Sequence, residues 1–537
     1  MNPDKILAGN IFTGLSDTPG RGAVLISGNR ILDVVSGDGW RKAGGAAAVV
    51  YDFGDGLIMP AFHDFHTHTY AGGIARCSVE LFSAESETEA ARMTADFAAA
   101  NTGDEWVLGL GWYHVFWDNK KLPTKKSLDR LIPDRPVFLF NAEYHGAWVN
   151  SKALELCGID RNTPDPEFGR IERDGDGNPT GFLYEDALAL AAGKALDLRA
   201  DRRRSLFSDL QDSAVSMGIA SVNDMMPLPG IELDDTETYE AFDKSGRLKL
   251  RIYLEAALSG NLGRAKELRE RYKSGRIRFS GLKAFLDGVA TTYTASVVEP
   301  YSDKPDSCGL TLLPPETVRS RVIEADREGF RVRLHACGDG GVRLGLDCYE
   351  AAAAANGLRD SRHTIEHIET LHPDDFPRFK ELGVIASIQP EHLAMTERYK
   401  DSPYLLRFEG ERERRMFTNG SFVRSGVHTA YASDFPVVGM NPLHGIARAV
   451  DRLHNDGMPE GGWNPGEKVS LAEALRAYTA GPAYGMFREG ETGVLAAGML
   501  ADIAVLEKNP FDSGSSGAVK DIKNKMTLSD GKIVYAD

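Results

Sequence analysis

Eight apolar, strand-like runs alternate with Ala-, Glu- and Arg-rich helical stretches along most of this 537-residue chain, at 57–68, 219–224, 248–255, 279–286, 330–336, 363–369, 384–389 and 429–433. Strands separated by helices imply parallel pairing through crossover connections, because parallel neighbours cannot be joined by a tight hairpin. Eight such units predict an α/β fold, a closed (β/α)8 TIM barrel. In such barrels the reacting groups sit at the C-terminal ends of the strands.

The rest of the chain is organised around that barrel. The interval 75–205 is too long for one barrel connection and reads as an insertion subdomain after the first strand. It carries Trp106, Trp112, Trp117 and Trp148, four of the six tryptophans. Clustered aromatics fill a subdomain core or wall a substrate pocket, and on the second reading Trp112 and Trp117 are substrate-binding candidates. Residues 1–56 and 485–537 are short β-like runs between Gly, Asn and Pro turns, with Asp530-Gly531 as a hairpin signal. Termini commonly lie close together, so the two ends are expected to build one small β-sandwich, leaving 57–484 to the barrel. The polar stretch 512–517 reads as a surface loop.

Composition narrows the function class. With 42% hydrophobic and 26% charged residues the chain suits a soluble globular enzyme, and a net charge of -16 argues against a nucleic acid or anionic membrane partner. Five scattered cysteines without CxxC spacing point to reduced thiols; Cys337, two residues past His335, reads as a small buried thiol. No leader-like start or membrane-length apolar run stands out, so a cytoplasmic protein is expected, with a homodimer plausible at this size.

Within 57–68, the segment LIMPAFHDFHTHTY puts Asp64, His66 and His68 on one face of a strand. Two imidazoles from one strand supply half of a zinc-type coordination shell, although a lone HxH is more often a hydrogen-bonded strand end. Partners exist. Lys283 in GLKAFLDG, His335 in VRLHACGDG, His367 in TIEHIE and Asp434 in YASDFP each interrupt an apolar run. Singly these are an ion-paired lysine, two core histidines and a helix cap. As a series at the ends of strands one, four, five, six and eight they converge, and coordination would remove the cost of burying them.

These segments resemble the amidohydrolase superfamily of metal-dependent hydrolases. PAFHDFHTHTY is similar to its PGFxDxHxH signature, with Ala61 for glycine and His63 for an aliphatic residue, both off the ligand face. The blocks WVLGLGWYHVFW, GNPTGFLYEDA, SIQPEH and ASDFP resemble the amidohydrolase family 3 branch that contains N-substituted formamide deformylase.

The resemblance implies a two-metal site holding zinc, with manganese, cobalt or iron admitted by the donor set. His66, His68 and Asp434 would hold one ion, His335 and His367 the other, and a carboxylated Lys283 would bridge them. Asp434, Lys283 and His335 form the implied catalytic set. A metal-activated hydroxide would attack the carbonyl, with Asp434 moving the proton to the departing amine. His145 and His392 are substrate-contact candidates, while Asp64, Asp287 and Asp339 would orient ligands or cap helices. The expected activity is hydrolysis of a non-peptide carbon–nitrogen bond in a small-molecule amide, most simply an N-formyl or N-acyl derivative of a hydrophobic amine. The same site could instead deaminate a ring or open a cyclic amide or lactone. A binding or regulatory protein that has lost turnover is the reading from another class.

Overall fold

The computed structural model describes residues 2–42, 48–103, 105–228, 231–512 and 519–537. Eight parallel strands form the central sheet: β1 Phe62–Thr67, β2 Ile219–Met225, β3 Arg251–Ala257, β4 Ile277–Phe285, β5 Val332–Ala336, β6 Thr364–His367, β7 Ile385–Ile388 and β8 Thr429–Tyr431. Period-two alternation sorts their side chains. In β5, Val332, Leu334 and Ala336 join the main core with Val318, Val322, Val342 and Leu346 of the flanking helices, while Arg333 and His335 take the opposite face. Arg333 is buried because Glu366 and Glu255 accept from its guanidinium at 2.6 and 3.3 Å.

β1 and β8 close the barrel just past the end of β8. The Asp434 N–H donates to the His66 carbonyl at 2.8 Å, and the His68 N–H to the Phe435 carbonyl at 2.9 Å. Asp64 strengthens this seam, accepting from the Ser433 N–H at 2.9 Å and from its hydroxyl.

The run expected over 57–68 is two strands. Leu57 to Pro60 end a longer strand, Val49–Pro60, that pairs antiparallel with Ile503–Leu506; the barrel strand starts at Phe62. Both pieces are buried on both faces, so no change of hydrophobic period marks the border. The terminal strands form one continuous sheet in the order 532–536, 524–529, 503–506, 49–60, 5–11, 20–27, 30–36. Its two wings share a core in which Leu7, Val24 and Ile31 meet Leu495, Val505 and Leu528. The Asp530-Gly531 signal forms its hairpin with φ of 56° and 73°, the left-handed pair of a type I′ turn. Residues 513–517 of the polar stretch lie outside the described residues.

The insertion folds as a six-stranded sheet of its own, from Val79–Glu80 to Pro179–Glu185, between β1 and β2. Among the described residues no helix is long and apolar enough to cross a membrane.

One buried ion pair ties the barrel to the terminal sheet: Arg251 donates to Asp502 at 2.7 Å and to Asp530 at 2.9 Å. Arg251→Ala strands the Asp502 carboxylate in a buried position. It is expected to cost about 3 kcal/mol, read as a lowered unfolding midpoint.

Candidate metal centre

The series from strands one, four, five, six and eight meets at one end of the barrel. His66 lies near the end of β1, and His68 precedes the helix Thr69–Arg76. Their Nε2 atoms each stand 3.2 Å from Asp434 Oδ1. Lys283 Nζ is 3.4 Å from His66 Nε2. The His367 ring centroid lies 5.0 Å from that of His66 and 4.3 Å from that of His335, and His367 Nδ1 is 3.9 Å from Asp434 Oδ2. All six side chains are buried.

Two of the six sit on unusual backbone. His367 and Asp434 have φ of 73° and 60°, a left-handed conformation that a non-glycine residue rarely adopts. Such residues cost about 1 to 3 kcal/mol each and are held by their surroundings, here by the β1–β8 seam at Asp434.

Hydrogen bonds behind the histidines aim their lone pairs. The His66 Nδ1–H donates to Glu366 at 2.8 Å, and the His68 Nδ1–H to the Met225 carbonyl at 2.7 Å. Each ring therefore offers a bare Nε2 toward Asp434. Burial lowers the His66 imidazole to about 4 and holds His335 and His367 well below the ordinary range, so all three are neutral donors. The Lys283 amine is lowered to about 8, chiefly by burial. Burial alone would raise the Asp434 carboxyl; the imidazoles of His66, His68 and His392 beside it lower it.

Two histidines beside this cluster behave in the opposite sense. Burial would lower His145, but the Glu185 carboxylate, accepting from its Nδ1–H at 2.7 Å, brings it above the ordinary value. His392 is likewise raised by Glu369 and Asp434 against its burial, with Nε2 at 3.6 Å from Asp434 Oδ2. Rings whose pKa is lowered by burial and rings whose pKa is raised by a carboxylate thus stand side by side.

The donor set fits a divalent cation. His66, His68 and Asp434 offer three ligand atoms within 4.8 Å of one another; so do His367, His392 and Asp434. His367 Nδ1, His392 Nε2 and Asp434 Oδ1 are buried without a hydrogen-bond partner. Left so, each costs about 1 to 3 kcal/mol, which an ion at their focus would relieve.

A model of the amidohydrolase family matches residues 49–535. The chain belongs to the amidohydrolase family. It is a hydrolytic enzyme that acts on carbon–nitrogen bonds. The protein LONG AFTER FAR-RED 3 of Arabidopsis thaliana is 32% identical to it over 98% of this chain and 90% of that protein. N-substituted formamide deformylase of Arthrobacter pascens is 27% identical over 96% and 94%. The crystal structure of an uncharacterized metal-dependent hydrolase from Pyrococcus furiosus superposes with a TM-score of 0.72 at 26% identity, covering 95% of this chain and all of that one.

Around the amidohydrolase centre the other sequence candidates divide. Asp64 holds Ser433 and so sets the backbone of Asp434. Asp287 accepts three backbone N–H groups, from Ser296, Cys337 and Gly338, fixing the turn after His335, while burial raises its carboxyl to about 8. Asp339 begins the helix Asp339–Asn356 and accepts from the Val298 N–H at 2.9 Å, tying the helix start to that loop.

Trp112 and Trp117 require correction. Both are fully buried against Trp148 and Phe182 in the insertion core, and their indole N–H groups donate to the Leu139 and Ala84 carbonyls. They support the insertion rather than wall a pocket. Glu366, Glu185 and Glu369 were not singled out from sequence, although an acid inside an apolar run, as in TIEH, was the available signal.

Two cavities are lined by a residue of the centre or by a chain neighbour of one. One of about 410 Å³ is largely apolar, lined by Leu110, Tyr113, Met395, Phe435 and Val437 where the insertion faces the barrel. Another of about 250 Å³ reaches Lys283 between Phe168, Leu228 and Phe285.

Two outcomes follow. Glu366→Gln weakens the acceptor behind His66 and is expected to loosen metal binding about 10- to 100-fold, measured by competition with a chromogenic chelator. Trp117→Phe is expected to lower the unfolding midpoint while leaving KM unchanged; a raised KM at unchanged stability would restore it to the pocket.

Proposed function

We propose that this amidohydrolase is a binuclear zinc enzyme that hydrolyses a linear amide, an N-formyl or N-acyl derivative of a small hydrophobic amine. The observation that carries the reading is the convergence of unpartnered atoms of His367, His392 and Asp434 on a centre already faced by His66, His68 and Lys283. In this reading His66, His68 and Asp434 hold one ion and His335 and His367 the other. Lys283 lies beside His66, and its amine, lowered to about 8, is more readily deprotonated than an ordinary lysine. The neutral amine could add carbon dioxide, losing one proton, to give a carbamate whose anionic oxygens would be metal donors. Bound zinc would supply an activated water and a Lewis acid for the carbonyl.

The side chains supply the rest. Asp434 directs Oδ1 at the first histidine pair and Oδ2 toward His367 and His392, so one carboxylate can accept a proton from water and pass it to the departing amine nitrogen. His392 and His145, biased toward their protonated forms, can donate to the substrate carbonyl. The apolar cavity beside Phe435, the chain neighbour of Asp434, suits the hydrocarbon part of the amine. The Arthrobacter pascens relative is named for N-substituted formamides, which supports a linear amide.

A screen of N-formyl, N-acetyl and cyclic amides and aminated rings, with metal content determined on the same sample, tests this. Free amine with formate or acid is expected from the linear amides, lost on chelation and regained with zinc. His68→Ala is expected to lose both metal and turnover. Ammonia from aminated rings with inert linear amides, or a metal-loaded protein that turns over nothing, would overturn the assignment.

A further inference from the structure

The mechanism above leaves one buried nucleophile at the centre unused. Cys337 lies in the turn between β5 and the helix Asp339–Asn356 and is held from both sides: its N–H donates to Asp287 Oδ1 at 3.0 Å, and its carbonyl accepts from the Thr370 N–H at 3.1 Å. Its Sγ is 3.5 Å from His335 Nε2. Sγ and one ring nitrogen each of His335 and His367 all lie within 4.8 Å of one another, and all three residues are buried.

The competing explanation is packing. Cys337 shares an apolar cluster with Val289, Ala290 and Leu393, and His335 Nε2, 3.5 Å from its sulfur, is also 3.3 Å from the Gly288 carbonyl. Two features point further. With zinc–sulfur and zinc–nitrogen bonds of about 2.3 and about 2.05 Å, the S···N edge of a tetrahedral site is ~3.6 Å, close to the spacing found. The third corner is a ring nitrogen of His367, a buried residue whose Nδ1 has no hydrogen-bond partner.

We propose that Cys337 is a ligand of the second ion, completing with His335 and His367 a sulfur-containing set beside the His66, His68 and Asp434 site. On binding, the S–H bond breaks, the sulfur pair forms the bond to the metal, and the proton leaves to solvent. A thiolate makes this half of the centre soft, selecting zinc or cobalt over manganese. This inference rests on the metal-centre reading above.

Cobalt(II) is the probe, loaded into the full-length protein with exposed Cys308 replaced by Ser in every sample. A sulfur-to-cobalt charge-transfer band in the near ultraviolet is expected, absent in Cys337→Ser, together with at least tenfold weaker binding of one cobalt equivalent. Cys337→Ala serves as the second variant; where neither folds, the band in the parent protein decides. Cobalt bound without the band, or an identical band in Cys337→Ser, overturns the Cys337 assignment and leaves the histidine centre standing. A protein that binds no cobalt overturns both.

Discussion

The hydrogen bonds that close the barrel between β1 and β8 also assemble the centre. Asp434 donates its backbone N–H to the His66 carbonyl, His68 donates to the Phe435 carbonyl, and Asp64 clamps Ser433. Parallel strands at the two ends of an eight-stranded sheet need a closing contact. Here the residues that make it are the candidate ligands or their chain neighbours. A shift of this seam would move Asp434 relative to both histidines, so the pre-organisation of the site and the integrity of the barrel are one physical constraint.

Electrostatics is arranged in layers around that seam. Deepest is Arg333, fully buried, which Glu366 and Glu255 neutralise. Glu366 then spends its other oxygen on His66, so the innermost ion pair also orients a ligand. Above it stand the neutral imidazoles of His66, His335 and His367, and beside them His145 and His392, biased toward cations by Glu185 and Glu369. Burial alone would depress every one of these rings. What separates the lowered rings from the raised ones is which have carboxylate partners strong enough to outweigh burial.

Most of the barrel was legible because its strands carry a single period and its polar residues fall at strand ends. Lys283, His335 and His367 stand out for the same reason: each interrupts an apolar run, and they come together in space. The border at Pro60 was not legible, since residues 57–60 and strand 62–67 are both enclosed and their sequences merge into one apolar run. Nor was the role of Trp112 and Trp117, because a tryptophan in a subdomain core and one facing a substrate have the same composition signature; the indole N–H partners distinguish them. Glu366 escaped notice beside His367, because neighbouring residues in a strand point to opposite faces and only one was expected to face the centre. The left-handed turn at His367 brings both to the same region.

The terminal sheet has a consequence for biosynthesis. Strand 49–60 pairs on one edge with strand 5–11, but its other edge waits for strand 503–506. At ordinary elongation rates that partner is translated roughly 440 residues later, on the order of 20 to 90 seconds. Throughout that interval a ribosome-bound chain carries an open β edge bearing Leu57 and Ile58, the kind of edge to which other nascent chains and holdase chaperones attach.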